Sequence, residues 1–261
     1  MKAKILLIDI ETSPLISYTW GLYDQNIGLN QIKTEWFILS FAAKWLEHPE
    51  KKNKIIYLDQ RNNKNIHNDK NILKAMWELL DDADIIITHN GKSFDVKKIN
   101  AKLLEEGFEP YSDFRHIDTY QLSKKLFAVT SHKLEYLAKF LKCKEKKLTK
   151  RKFNGFELWK ECLAGNKQAW EEMKKYNIQD ILTLQDVYEK LKPWDNSINF
   201  SVFNEGEHVC SCGSKELRNK GLVYTNTGIH KRYKCKSCGK SFKAKVNELT
   251  PEQKQNLRNV K

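Results

Sequence analysis

The chain has 261 residues, of which 40% are hydrophobic and 11% aromatic, and its formal net charge is +13. This length suits one domain with a full hydrophobic core plus a small second domain, and the apolar content excludes a disordered chain. No apolar run approaches the ~18 residues that cross a bilayer, and acidic residues interrupt the N-terminal segment before it becomes signal-like. We therefore expect a cytoplasmic protein.

Positive charge is concentrated near the C-terminus. Residues 200–261 hold 13 Lys and Arg against 5 Asp and Glu, so +8 of the total +13 falls in the last 62 residues. Basic side chains that neutralise phosphates release condensed counterions, which makes nucleic acid a candidate partner. The same charge would also simply keep a chain soluble, so charge alone leaves both interpretations open.

Short apolar runs and helical spacings alternate along the first three quarters of the chain. The runs predict strands at residues 4–10, 36–46, 54–58 and 84–90. The spacing of apolar residues predicts helices at 69–81, 94–106, 118–127, 133–142 and 166–191. This order predicts an α/β fold with a mixed sheet flanked by helices.

The periodic pattern stops after Leu191, where the sequence KPWDNSINFSVFNEGE brings a Pro, an Asp-Asn-Ser cluster and a Gly. We place the domain boundaries accordingly. The predicted parts are a first domain at 1–192, a linker at 193–206, a cysteine-rich module at 207–245 and a basic tail at 246–261.

Acidic residues occur in three places within the first domain. Asp9 and Glu11 are two apart on a predicted strand and therefore share one of its faces. Their mutual repulsion would be relieved by Mg²⁺ or Mn²⁺, which prefer oxygen ligands, although an acidic strand end is also compatible with simple solvation. Asp95 follows a strand and a Gly turn, whereas Tyr176 and Asp180 are four apart on one helix face.

Three segments together carry a family resemblance. IDIET at 8–12, NGKSFD at 90–95 and YNIQD at 176–180 resemble, in order and spacing, the motifs of the DEDD superfamily of 3′-to-5′ exonucleases. The last segment is typical of the tyrosine subclass, since Lys175 stands where another subclass has His. The resemblance covers about residues 4–191 and implies a ribonuclease H-like fold, which fits the predicted order of elements.

The resemblance also implies roles for the acidic residues. Asp9 would bridge two Mg²⁺ or Mn²⁺ ions, Glu11 and Asp180 would complete the ion on the nucleophile side, and Asp95 would help hold the other. Tyr176 would orient the attacking water. Two such ions neutralise charge on the nucleophile and on the departing 3′ oxygen.

Further residues near these motifs are candidates for contacting substrate. The resemblance places Thr12, Asn90 and Phe94 near the terminal nucleotides, although Phe94 fits a core position equally well. Tyr18 and Trp20 lie in the loop after the first motif, where aromatic rings stack on unpaired bases or pack internally.

Four of the six cysteines form two close pairs, Cys210 with Cys212 and Cys235 with Cys238. In a chain without an export signal such pairs are more often zinc ligands than disulfides. The first pair is one residue shorter than Cys-x-x-Cys, so His208 is an alternative ligand to Cys210. The module resembles zinc ribbons of some transposases and phage enzymes, which implies one structural Zn²⁺ and a phage or mobile-element origin.

The basic ribbon has two candidate roles. Tyr224, His230, Arg232 and Tyr233 on its predicted hairpin would hold a nucleic-acid backbone, or the module would dock a protein.

These observations favour a stand-alone enzyme that removes 5′-mononucleotides from the 3′ end of single-stranded or frayed DNA. The alternatives are a 3′-5′ exoribonuclease, a non-catalytic nucleic-acid-binding protein of the same fold and a strand-transfer enzyme. A replication or repair protein stays open as a second partner.

Overall fold

The computed structural model describes residues 3–145, 152–203 and 208–257. Within these ranges the chain forms two compact units, one from Ala3 to Tyr188 and one beginning at Glu189. The predicted linker, cysteine-rich module and basic tail include residues 204–207 and 258–261, which lie outside the described residues. No helix of the described part is long and apolar enough to span a membrane.

The first unit is built on a five-stranded sheet with the strand order β5-β4-β1-β6-β7. Strand β1 is antiparallel to β4 and parallel to β6, so the sheet is mixed and the predicted fold class is confirmed. A separate two-stranded ribbon, β2 with β3, follows β1. The strands of this unit are β1 (Ile5–Thr12), β2 (Ile16–Ser17), β3 (Ile32–Thr34), β4 (Ile38–Glu47), β5 (Ile55–Asp59), β6 (Ile85–Thr88) and β7 (Arg115–Asp118).

Helices follow the strands and cover the sheet. They are α1 (Lys70–Asp82), α2 (Asp95–Glu105), α3 (Thr119–Leu126), α4 (Leu134–Phe140), α5 (Glu157–Leu163) and α6 (Lys167–Leu191). The five predicted helices agree with the observed ones to within two residues at each end. The predictions missed β7, whose sequence RHID has one apolar residue, and α5, which is only 7 residues long.

Side chains of β1 alternate between two environments. Leu6, Ile8 and Ile10 are buried in a large core cluster with residues of α1 and α2. Each fully buried side chain of this kind contributes about 1.5–3 kcal/mol. The intervening residues Asp9 and Glu11 project from the opposite face, because successive strand residues point to opposite sides. Leu7 on that face is buried as well, so the two-residue period of the strand, rather than an alternation of apolar and polar residues, places the two carboxylates on one side.

A second core cluster lies under α5 and α6, with Leu39, Leu158, Trp170 and Met173 among its buried members. Tyr176 packs against this cluster while only partly buried. The cluster anchors α6, which carries the third motif.

The second unit contains a three-stranded antiparallel sheet in the order β10-β9-β8. Its elements are β8 (Leu217–Thr225), β9 (Gly228–Cys235), β10 (Ser241–Lys243) and the short helix α7 (Pro251–Gln255). Residues of the predicted linker are packed in this unit, since Ile198 and Phe200 are buried and the amide of Phe200 donates to the carbonyl of Ser211 at 2.9 Å.

Candidate active site

Three carboxylates from two motifs converge beside the sheet. Asp9 and Glu11 come from β1 and Asp180 from α6, and each offers an oxygen within 4.8 Å of the others. Three anions this close repel one another, and Asp180 is buried as well. Hard divalent ions such as Mg²⁺ or Mn²⁺ take oxygen ligands of this type, so the donor set fits them.

A buried amide holds the first of these carboxylates in place. The Nδ2 group of Asn177 donates to Oδ2 of Asp9 at 2.8 Å, and its Oδ1 accepts from the hydroxyl of Ser40 at 3.2 Å. Both Asn177 and Ser40 are fully buried. A hydrogen bond from a buried amide fixes the orientation of the carboxylate that accepts it, so Asn177 is a positioning residue for Asp9.

Asp95 lies on the wall of the same cleft, outside the close group of three. It is the first residue of α2, and its Oδ1 accepts from the amide of Ile10 at 3.1 Å. The pKa of Asp95 is raised to about 6, chiefly by burial and also by the nearby Asp118, while the hydrogen bond from the amide of Ile10 opposes this shift. Of the four predicted metal-binding carboxylates, the structure thus gathers three closely and places the fourth beside them.

The turn that leads into α2 is shaped by close backbone packing. Asn90 has a left-handed φ of 69°, which favours Asn among non-glycine residues. At Gly91 a Cβ atom would lie 2.4 Å from the side-chain oxygen of Thr88, so only glycine fits. This turn sets the position from which α2 and Asp95 begin.

Asp118 ties this turn to the next helix. Its carboxylate accepts from the amides of Asn90 and Lys92 at 2.9 and 3.1 Å, and from that of Tyr120 at 3.0 Å at the start of α3. Asp118 is not among the residues predicted from the sequence. The signal that would have found it is an Asp directly before a helix, a typical N-cap residue.

The carboxylates open into a cleft of about 510 Å³. Asn90, Phe94 and Tyr176, predicted from the motifs, line it, and Phe94 is 40% exposed, which argues against a core role. Six further residues that were not predicted also line the cleft, namely Ile10, His89, Tyr120, Lys133, Leu134 and Glu135. Ile10 and His89 lie in or beside the first two motifs, whereas the other four come to the cleft from α3 and from the start of α4, which no local pattern indicates.

Thr12 lies apart from the main cleft. It lines a neighbouring apolar pocket of about 360 Å³ with Pro14, Phe156 and Trp159. The ring of Trp159 meets that of Tyr176 edge-on at 5.9 Å between centroids, so this pocket adjoins the cleft. Trp20 is 97% exposed, which contradicts internal packing as its role.

The four cysteines of the second unit also converge. Their sulfurs lie within 4.8 Å of one another, at 3.6 Å for Cys210 with Cys238 and 3.7 Å for Cys212 with Cys235. Four sulfurs at about 2.3 Å from a tetrahedral Zn²⁺ would be about 3.8 Å apart, so the arrangement fits zinc. The ring of His208 instead stacks near Tyr233 at 4.8 Å, and Cys210 supplies the fourth sulfur.

Comparisons with known proteins agree with this architecture. A segment of 75 residues, 29% of the chain, is 36% identical to "DNA polymerase III PolC-type" of Ureaplasma parvum serovar 3 and covers 5% of that protein. The solved family B DNA polymerase of Pyrobaculum calidifontis superposes on 74% of the chain with a TM-score of 0.54 and 12% identity. The chain covers 25% of that polymerase, and at this identity the likeness concerns the fold alone.

A family match covers most of the first unit. The family described as the RNase_H superfamily matches residues 26–192, which is more than half of the chain. The matched range includes Asp95, Tyr176 and Asp180, whereas Asp9 and Glu11 precede it. The chain therefore belongs to the RNase H superfamily.

Proposed function

We propose that this protein is a metal-dependent 3′-5′ exonuclease that hydrolyses DNA and releases 5′-mononucleotides. The observation that carries the proposal is the convergence of Asp9, Glu11 and Asp180 in one cleft, within 4.8 Å of one another. Membership of the RNase H superfamily and the three motif resemblances support it.

The cleft residues would hold two Mg²⁺ or Mn²⁺ ions, which supply an activated water and stabilise the leaving 3′ oxygen when bound. Asp9 is the natural shared ligand, because it belongs to the group with Glu11 and Asp180 and is itself oriented by Asn177. Asp95 adds a further carboxylate to the wall of the cleft, where a bound cation would stabilise its charged form against the burial that raises its pKa.

Other residues of the cleft would position the substrate. Tyr176 lies one helical turn before Asp180 and lines the same cleft, so its hydroxyl is suited to orient the attacking water. Lys133 offers a cation for a phosphate, and the exposed face of Phe94 is suited to stack on a terminal base. A cleft of about 510 Å³ suits the end of a strand better than a continuous duplex.

Single-stranded DNA labelled at either end tests the direction of cleavage. With Mg²⁺ or Mn²⁺, a 3′ label should be released at once as a mononucleotide, while a 5′ label should pass through a ladder of shortening products. Asp9→Ala should abolish both patterns. Endonucleolytic fragments, or release from the 5′ end, would contradict the proposed direction.

The same assay with RNA of matched sequence distinguishes the main rival activity. We expect faster hydrolysis of DNA. Preferred hydrolysis of RNA would make the protein an exoribonuclease that uses the same residues. Binding of the oligonucleotide without hydrolysis, under every metal condition, would favour a non-catalytic binding protein of this fold.

A further inference from the structure

We propose that one face of the β8–β10 sheet is a second nucleic-acid-binding surface, formed by Arg218, Arg232, Lys234 and Lys243 and contacting the phosphate backbone. We call these four residues the basic face. The proposal concerns binding and is independent of whether the first unit hydrolyses its substrate.

Strand register places the four cations together. Arg218 of β8 lies opposite Lys234 of β9, and Arg232 of β9 lies opposite Lys243 of β10. Directly opposed residues of an antiparallel pair share a face, and so do residues two apart on one strand. All four side chains therefore project from the same side of the sheet, and all four residues are exposed.

Placing four cations on one face destabilises the sheet when no polyanion is bound. Like charges directly opposite one another destabilise a sheet, and here two such pairs are adjacent. Within residues 208–257, which carry 11 Lys and Arg against 3 Asp and Glu, none of the four cations forms an ion pair. The guanidinium of Arg232 donates only to the backbone carbonyl of Lys220, at 3.2 Å. A polyanion would relieve this repulsion.

The other side of the sheet has an internal role. Tyr233 and Phe242 lie opposite each other there, with ring centroids 5.9 Å apart, and His208 stacks near Tyr233. The ion pair between Lys231 and Glu248 also involves this side, because Lys231 shares the face of Tyr233. Of the hairpin residues predicted to hold nucleic acid, Arg232 therefore lies on the basic face and Tyr233 does not.

The chemistry of the basic face favours nucleic acid over an acidic protein. Cations two residues apart on a strand repeat at about 6.6 Å, which gives a regular row of charge for a regular polyanion. Stable protein interfaces have an apolar, aromatic centre. The aromatic side chains of this sheet, Tyr224, Tyr233 and Phe242, are on the other side, as the strand register shows.

The test is equilibrium binding of a fluorescein-labelled oligodeoxythymidylate to the full-length, zinc-loaded protein without added Mg²⁺ or Mn²⁺, at several salt concentrations. The variant is Arg218→Gln, Arg232→Gln, Lys234→Gln and Lys243→Gln combined. A matched control removes four exposed cations outside the basic face, as Lys64→Gln, Lys215→Gln, Lys231→Gln and Lys254→Gln. The zinc content of each variant checks that its β8–β10 sheet is folded.

We expect the basic-face variant to bind the oligonucleotide at least about 10-fold more weakly. The slope of log affinity against log salt concentration should become shallower by about 3, since each of the four phosphate contacts contributes roughly 0.7–0.9 to it. The control should retain affinity to within a factor of about 3, because scattered charges contact fewer phosphates. Equal losses in the two variants would overturn the proposal. So would unchanged oligonucleotide binding accompanied by loss of binding to labelled poly-glutamate, which would assign the face to an acidic protein.

Discussion

The two units gather side chains suited to metal ions by different means. The acidic cluster of Asp9, Glu11 and Asp180 is supported by two extensive hydrophobic clusters and by the buried amide of Asn177. The cysteine cluster has less apolar support, because the buried apolar residues that the structure describes beyond Glu189 are, besides two of the cysteines, Leu191, Ile198, Phe200 and Ala244. The fold of the first unit therefore holds its acidic site in place. We expect the fold of the second unit to depend in part on a metal ion held by its cysteines.

Removal of zinc should reveal the largest difference between the two units, because we expect only the second to unfold. Cys238→Ser takes away a sulfur that lies 3.6 Å from that of Cys210, and we expect loss of one bound zinc and unfolding of β8–β10. Hydrogen exchange followed by mass spectrometry should show these strands exchanging freely while residues 3–188 keep their protection. Ser237→Ala, at the neighbouring exposed position, is the matched control and should leave both units protected. Protection of β8–β10 from hydrogen exchange without zinc would contradict this difference between the two units.

Preorganisation of the acidic site can be weakened without removing a carboxylate. Asn177→Leu keeps the branching of the side chain but leaves Asp9 and Ser40 without the amide, so kcat should fall about 10–100-fold. Gln179→Leu is the control on the same helix, since its amide binds Glu145 instead. Steady-state hydrolysis of an oligonucleotide measures both. Equal activity of the two variants would show that Asp9 needs no support from Asn177.

Lowering the pH should reduce the free energy of unfolding of the first unit through protonation of His116. Burial lowers the pKa of His116 to about 4, against about 6.5 in an unfolded chain, so the unfolded state binds more protons between these values. The resulting stability is present above pH 6.5 and is lost as the pH falls towards 4, by about 2 kcal/mol between pH 7 and 4.5. Its ring lies 2.8 Å from the hydroxyl of Thr88, which also accepts from the amide of Gly91.

Denaturant titrations at several pH values should detect this loss. In His116→Gln, which keeps an acceptor for Thr88 but does not titrate, the pH dependence should be shallower by that amount. An identical pH dependence in wild type and variant would exclude His116 as its source.

The smallest effect concerns the loop after the first motif. Trp20 is 97% exposed, so Trp20→Ser should change the free energy of unfolding by less than about 0.5 kcal/mol. Trp170→Ala, at a buried position of the second core cluster, should cost about 3–5 kcal/mol in the same titration. A large loss of stability in Trp20→Ser would show that the loop packs against the unit in solution.

The sequence was informative where a side chain acts within its own element. The two-residue spacing of Asp9 and Glu11 on a predicted strand placed them on one face, and the four-residue spacing of Tyr176 and Asp180 on a predicted helix did the same. The fold class followed from the order of strands and helices. Such patterns are local, so one sequence suffices to read them.

Contacts between residues far apart in the chain could not be predicted, because the sequence patterns are local. Asn177 lies within the third motif, yet its role became visible only when its amide was found 2.8 Å from Asp9, a residue 168 positions away. The strand β7 escaped prediction because three of its four residues are polar, and with it the role of Asp118. The like-charge pairs of the basic face depend on strand register, which the sequence of a Lys-rich hairpin does not specify.

The most direct test of the acidic site is Asp180→Asn, measured for hydrolysis of single-stranded DNA at saturating Mn²⁺ and for thermal stability without added Mg²⁺ or Mn²⁺. The substitution keeps the shape of a buried side chain and removes one of three mutually repelling charges. We predict a loss of at least about 10³-fold in rate together with an unchanged or higher Tm, since the repulsion is relieved. A variant that retains hydrolysis to within about 10-fold of wild type would show that the reaction does not depend on this cluster of carboxylates.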